Sequence, residues 1–283
     1  MEIDNLITSH TGIGELLANE LIRRGETVYT VFPSPKEVPM SFLGKINLKY
    51  GFVKFDQELN YEKGLPRKVK NVFHVYELYS GPFPKIFMAN VATTMFLLEW
   101  AKKVGVSKFI LLSTGEIYGQ GENLNENAPY NPRSFYATTK FHAETIARYY
   151  NRNFELKILR VFFPYGKNLQ QGYLFNLFDS LTNTGIIETD YAIICPTLID
   201  DVIEPLIKLR ELPGSIVYNI CGSPVPLPQL ISEIESTTGR TVKNKKTGKT
   251  VLCGNCQKAI GELGFKETPL KVGLKQMLKN PNE

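Results

Sequence analysis

Apolar and polar positions change rhythm along the chain in a way that separates strands from helices. Short runs of branched and aromatic residues recur at 6–8, 27–32, 51–55, 72–76, 109–113 and 156–162. Runs of that length and make-up predict buried strands. Between them the period lengthens: Ile13, Leu16, Leu17, Leu21 and Ile22 predict a helix over 13–24, stopped by Gly25. The segments 91–104 and 136–150 carry the same helical spacing. Strands alternating with helices predict an α/β fold, and right-handed crossovers make it a doubly wound parallel sheet. After Gly166 the rhythm changes: helices are predicted at 173–183, 200–209, 227–237, 257–263 and 271–279, with 193–199 extended and 216–220 a strand. Pro224, Pro226 and Pro228 cluster just past that strand. The expected division is a large domain, 1–166 plus 197–222, and a smaller α/β lobe, 167–196 plus 223–283.

Composition narrows the class. With 283 residues, 43% apolar and 22% charged, the chain can bury a large core, and disorder or a disulfide-stapled miniprotein is excluded. No stretch approaches the roughly 18–20 apolar residues of a membrane helix. The first residues, Met-Glu-Ile-Asp-Asn, lack a basic segment followed by an apolar run, so neither a membrane partner nor a secretory signal is expected. Cys195, Cys221, Cys253 and Cys256 read as reduced, structural thiols, which places the protein in the cytoplasm. The Cys253–Cys256 spacing lacks the thioredoxin-like context of a redox pair and the second ligand pair of a zinc site, so no metal is expected. Net charge is only +5, and the one dense patch, Lys243, Lys245, Lys246 and Lys249, reads as a solvated loop between two elements. Nucleic acid is not an expected partner.

Two segments carry candidate chemistry. The turn after the first strand contains Thr8, Thr11, Gly12, Ile13 and Gly14. A loop of this kind presents backbone N–H groups and a helix N-terminus to a pyrophosphate. The next strand ends in Phe32, Pro33 and Ser34, without the acidic residue that grips the ribose of NAD, and Ser34 with Lys36 would suit the 2′-phosphate of NADP instead. The second segment places Tyr136 and Lys140 four residues apart, hence on one helix face. A nearby ammonium favours phenolate and lowers a tyrosine pKa, making a general acid or base. The strand before it ends at 113–119 (Ser-Thr-Gly-Glu-Ile-Tyr-Gly), at the sheet edge where ligands bind, with the Thr114 hydroxyl expected beside the phenol.

Together with 131–140 (Asn-Pro-Arg-Ser-Phe-Tyr-Ala-Thr-Thr-Lys), Leu159, Arg160, Tyr165, Gly166, Asp200, Asp201, and the segments 217–220 and 262–265, these landmarks run in order through nearly the whole chain. In them the sequence resembles the extended short-chain dehydrogenase/reductase family, the NAD-dependent epimerases and dehydratases of nucleotide sugars. The resemblance implies a Rossmann-like dinucleotide-binding domain with a substrate-binding lobe, an NAD or NADP cofactor, a nucleotide-sugar substrate and a homodimer formed through 91–104 and 136–150. Trp100, on the first of these helices, would then face a partner chain. It assigns Tyr136 as the acid/base, Lys140 as the group that holds the nicotinamide ribose, Thr114 as a partner of the sugar oxygen and Glu116 as a second acid/base. Asp56 falls at the adenine-contacting position, and Val75 and Phe163 at further cofactor or substrate positions.

The chain departs from the family pattern in ways that bear on the reaction. Aligned on Gly14 without a gap, Thr8 and Thr11 stand at the first two glycine positions of the turn; with a one-residue deletion Ser9 and Gly12 do, so at least one glycine is lost. Gly115 replaces the Asp with which dehydratases protonate a leaving hydroxide. Ile194 replaces an Arg that grips sugar-nucleotide phosphates, and Val75-Tyr76-Glu77 replaces small residues beside the cofactor. The implied activity is therefore an NAD(P)-dependent oxidoreductase or epimerase acting at C4 of a nucleotide sugar. The alternatives are a 4,6-dehydratase or a non-catalytic ligand-binding member of the fold.

Overall fold

A computed structural model of the chain describes residues 3–55 and 62–278. In chain order the first half comprises β1 (Ile3–Ile7), α1 (Ile13–Arg23), β2 (Val28–Phe32), β3 (Leu48–Phe52) and β4 (Val69–His74). Then come α2 (Phe83–Phe87), α3 (Thr93–Val104), β5 (Lys108–Thr114), β6 (Gly121–Leu124), α4 (Phe135–Arg148) and β7 (Glu155–Val161). The second half adds β8 (Pro164–Tyr165), α5 (Tyr173–Asn183), β9 (Ile186–Ile194), β10 (Thr197–Leu198), α6 (Ile199–Glu211) and β11 (Ile216–Ile220). It closes with β12 (Val225–Pro226), α7 (Leu227–Thr238), β13 (Asn244–Gly254), α8 (Gln257–Leu263) and α9 (Leu270–Leu278).

Seven strands form a parallel sheet in the order β11-β7-β5-β4-β1-β2-β3. The direction of winding reverses between β1 and β4, and in such sheets the crevice beyond that reversal receives the ligand. Apolar side chains cover both faces. Leu17 and Leu21 of α1, Val202 and Leu206 of α6 and Leu263 of α8 pack on one side. Leu97, Leu98 and Trp100 of α3 pack on the other. Trp100, expected to face a partner chain, is buried in this core instead, because the inward stripe of α3 includes it.

A second sheet, β12-β9-β13-β6, builds the smaller lobe. The lysine patch read as a solvated loop lies largely in β13, which pairs in parallel with β9 from Asn244 to Leu252. Its polar residues hide the alternation that marks a strand, and only β9 recruits them into the sheet. We propose the expected two-lobe division with two exchanges. Strand β6, from 121–124, joins the small sheet, and α8 packs on β11 and α6 of the large one.

One buried ion pair anchors the turn that follows β5. Arg160 of β7 is fully buried and forks onto Glu144 of α4 at 2.9 and 2.7 Å. It also donates to Tyr130 Oη (2.9 Å) and to the Glu126 carbonyl (3.1 Å), so the sheet, α4 and the 118–130 segment are tied together.

Candidate active site

The cleft lies at the carboxyl edge of the large sheet, on the crevice between β1 and β4. Thr8, Thr11, Ile13, Val75, Thr114, Glu116 and Tyr136 line it, so these expected site residues are brought together. Gly12 has φ +53°, a conformation glycine adopts at little cost, and it precedes α1, whose start no side chain caps. Gly14 is required by packing, since a Cβ there would overlap the Ser9 carbonyl. Thr8 does not offer a glycine's open backbone. Its Oγ1 accepts from the Val75 and Tyr76 N–H groups (3.0 and 3.1 Å) and bonds His74 Nδ1 (3.0 Å), stitching the end of β1 to the end of β4.

Three expected contacts fall elsewhere. Phe32 is fully buried, edge-on to Phe42 and Tyr50, and its neighbours Val31 and Pro33 reach the cleft instead. Ser34 donates to Glu37 (3.0 Å) and does not line the cleft. Phe163 packs edge-on against Tyr173 and Tyr191 inside the small lobe, because its φ of +41° turns the chain away from the cleft. Asp56 lies outside the described residues.

Tyr136 and Lys140 project from one face of α4, and a residue that sequence reasoning left out of the site joins them. Glu77 Oε2 accepts from Tyr136 Oη at 2.9 Å and pairs with Lys140 Nζ at 2.9 Å. The lysine also donates to the Leu112 carbonyl (2.7 Å), and its side chain is only 4% exposed. Asn90 fixes the segment behind Glu77 through both the N–H and the carbonyl of Leu78 (2.8 and 3.0 Å). Gln171 closes it from across the cleft, donating to the Glu77 carbonyl (2.6 Å) and accepting from Tyr79 N–H (2.8 Å). The signal in the sequence was the bulky run after β4, which puts a carboxylate where small residues leave room.

This arrangement reverses one expectation. The Tyr136 pKa is raised well above the ordinary phenol value, first by burial and then by the carboxylates of Glu77 and Glu116. Lys140 does not lower it, because Glu77 takes up the ammonium's charge. Glu116, whose N–H donates to Thr114 Oγ1 at 3.2 Å, is buried, and burial with the Glu77 charge pushes its carboxyl up to about 8. Near neutral pH it is a neutral acid, with Tyr79 lining the cleft beside it. His74, bonded to Thr8 and Thr94 (2.9 Å), is pushed down to about 3 by burial and Lys140, and serves as a neutral interior group.

The lining fits a dinucleotide at both ends. Val31, Val53 and Phe55 form an apolar slot beside the glycine turn, and Ser113 Oγ at the other end is buried without a partner among the described residues. The cleft encloses about 240 Å³, below the ~300–1,000 Å³ of most ligand pockets. Glu77, Tyr79 and Gln171 border it, and Leu169 lies 3.1 Å from where a Cβ on Gly12 would sit. Gly115 cannot be an acid here, because any side chain would overlap the Phe162 ring. Ile194 is fully buried on β9 and leaves no charge at that position. A neighbouring cavity of about 380 Å³, bordered by Tyr79 and Glu116, holds Arg133 and Lys249 instead.

Residues 6–180 match the model of the NAD dependent epimerase/dehydratase family. UDP-glucuronate 4-epimerase 4 of Arabidopsis thaliana is 27% identical over 236 residues, covering 68% of this chain and 52% of that protein. The chain spans little more than half the length of the curated relatives it matches, 57% and 52% in two of them. Among solved structures, MoeE5 in complex with UDP-glucuronic acid and NAD superposes with a TM-score of 0.82 at 24% identity, covering 97% of each chain. The UDP-glucuronic acid 4-epimerase of Bacillus cereus in complex with NAD gives 0.82 at 22% identity, covering 97% of this chain and 95% of that one. At these identities the structures show the same fold. Among the described residues no helix is long and apolar enough to cross a membrane.

Proposed function

The chain belongs to the NAD dependent epimerase/dehydratase family, and from that premise we propose that it is an NAD-dependent enzyme acting at C4 of a nucleotide sugar, by epimerisation or keto reduction. The observation that carries the reading is the meeting of Tyr136 Oη and Lys140 Nζ at one carboxylate oxygen, Glu77 Oε2, in a cleft at the sheet's switch point. When the ligands enter, the Glu77 carboxylate gives way. The Lys140 ammonium is then freed to hold ribose hydroxyls and to favour the Tyr136 phenolate. Tyr136 exchanges a proton with the C4 hydroxyl or keto oxygen, and Thr114 donates a hydrogen bond to the same oxygen. NAD, when bound, supplies the hydride chemistry. Glu116, neutral near pH 7, serves as a second proton donor in this reading. The Ser113 hydroxyl gains the partner it lacks among the described residues.

NAD is favoured over NADP because Ser34, the hydroxyl assigned to a 2′-phosphate, is bonded to the Glu37 carboxylate, which would repel that dianion. Arg133 and Lys249 are placed to meet the substrate's diphosphate in place of the arginine that Ile194 replaces. The steric block at Gly115 disfavours dehydration. A homodimer through the outer faces of α3 and α4 belongs to the same proposal; Met95 and Tyr149 stay 39% and 77% exposed there, and light scattering tests it. The functional test incubates the protein with NAD and a panel of UDP-hexoses and UDP-hexuronates, and follows the C4 configuration by proton NMR. Interconversion of one C4 pair, lost in Tyr136→Phe, is the expected result. No turnover of any sugar, or equal turnover by Tyr136→Phe, overturns the proposal.

A further inference from the structure

All four cysteines of the chain meet in one cluster that the proposed reaction does not use. The parallel register pairs Ile194 of β9 with Leu252 of β13, so the next residues, Cys195 just past β9 and Cys253 within β13, come side by side. Cys221 directly follows β11, and a Cβ on Gly254 would stand 3.2 Å from its sulfur. Cys256 donates its S–H to the Cys221 carbonyl at 3.3 Å. The thiols perturb one another in series, Cys253 with Cys195, Cys195 with Cys221 and Cys221 with Cys256.

The sulfurs form a string and not a cage. A tetrahedral thiolate site needs every sulfur about 2.3 Å from one point. Among the described residues no group of three or more His, Cys, Asp or Glu side chains is arranged to hold a metal ion. Access is graded along the string. Cys195, Cys253 and Cys221 are 0%, 2% and 3% exposed, whereas Cys256 is only half-buried. Cys221, Cys253 and Cys256 border a cavity of about 490 Å³ that shares no lining residue with the active-site cleft.

We propose that Cys221 and Cys256 form a reversible dithiol–disulfide site, entered through the Cys256 thiol. The oxidant is a low-molecular-weight disulfide, such as glutathione disulfide. The Cys256 thiolate attacks one of its sulfurs, the S–S bond breaks, and one glutathione leaves as thiolate and takes up the proton Cys256 released. Cys221 then attacks the Cys256 sulfur of the mixed disulfide. A protein S–S bond forms, and the second glutathione leaves and accepts the Cys221 proton. Two protein thiols lose two electrons and one small disulfide gains them. The Cys221 thiol beside it holds the Cys256 pKa below the ordinary thiol value, which favours the attacking thiolate.

The test uses the full chain, incubated with glutathione disulfide, quenched in acid, alkylated under denaturing conditions and mapped by peptide mass spectrometry. The expected product is the intact mass less two hydrogens, a cross-linked peptide joining Cys221 to Cys256, and alkylated Cys195 and Cys253. Cys221→Ser should stop with one glutathione on Cys256, and Cys256→Ser, at the half-exposed position, should form neither product. A wild-type protein that stops at the mixed disulfide, a cross-link between Cys195 and Cys253, or four free thiols after oxidation each overturns the proposal. One equivalent of zinc in the purified protein, released by a thiol reagent, overturns it as well.

Discussion

Replacing Glu77 with Gln tests the most unusual feature of the cleft. The substitution keeps the side chain's shape and removes the charge that pairs with Lys140 at 2.9 Å. The ammonium side chain is 4% exposed and would keep only neutral oxygens beside it, the Gln amide and the Leu112 carbonyl at 2.7 Å. Breaking a buried pair from one side costs about 3–5 kcal/mol. Because Glu77 is 19% exposed and the amide oxygen still accepts from Tyr136, the lower end applies, about 3 kcal/mol. At about 2–4 °C per kcal/mol for a chain near this size, the free protein should melt roughly 6–12 °C lower. Cofactor binding should move the other way. In the proposed reading the wild type breaks the Glu77–Lys140 ion pair to admit the ribose, and the variant has no such ion pair to break. If half of the 3 kcal/mol is recovered, NAD binds about tenfold tighter, and if all of it is recovered, about a hundredfold. Calorimetric titration with NAD and thermal melts of the free protein read both effects. A variant that melts with the wild type, or that binds NAD no more tightly, would refute the account of Glu77 as the group that fills the ribose position. Loss of NAD binding in both proteins would instead count against the proposed function itself.

Other expected outcomes follow from single residues. Tyr136→Phe keeps the fold and should lower turnover about 10²–10⁴-fold, measured at saturating substrate. Glu116 has a folded-state pKa of about 8, above the ordinary 4.5, so its stabilising effect is complete below the ordinary carboxylate value and is lost as pH rises through 8. Urea melts should show wild type losing stability, on the order of 5 kcal/mol at most, between about pH 5 and 9. Glu116→Gln should be flat over that range, and a parallel decline in the variant would assign the effect to another group. Glu144→Ala strips the buried Arg160 of its carboxylate and should cost about 3–5 kcal/mol by urea denaturation. Gly115→Asp forces a side chain onto the Phe162 ring and should cost about 1–3 kcal/mol without conferring dehydration; a stable variant that eliminates water would contradict that reading.

Strand and helix periods were legible in the chain as far as Val161, because parallel strands buried on both faces read as unbroken apolar runs and their covering helices as stripes. The four-residue step from Tyr136 to Lys140 placed both groups on one helix face before any tertiary information was available, and Gly12 and Gly14 marked the tight turn at the start of α1. What local pattern could not carry was decided by partners distant in sequence. The polar stretch of β13 becomes a strand only because β9 lies beside it. Phe32 leaves the cleft because its neighbours' packing turns it into the core, and Phe163 because its backbone turns the chain away. The charge state of the phenol depends on a carboxylate 59 residues away, and the cysteines converge from three separate chain segments. Spacing along a helix fixes which side chains share a face, because that geometry is local. Which opposing groups meet them, and so how readily they give up a proton, is set by contacts that exist only once strands and helices distant in sequence have come together.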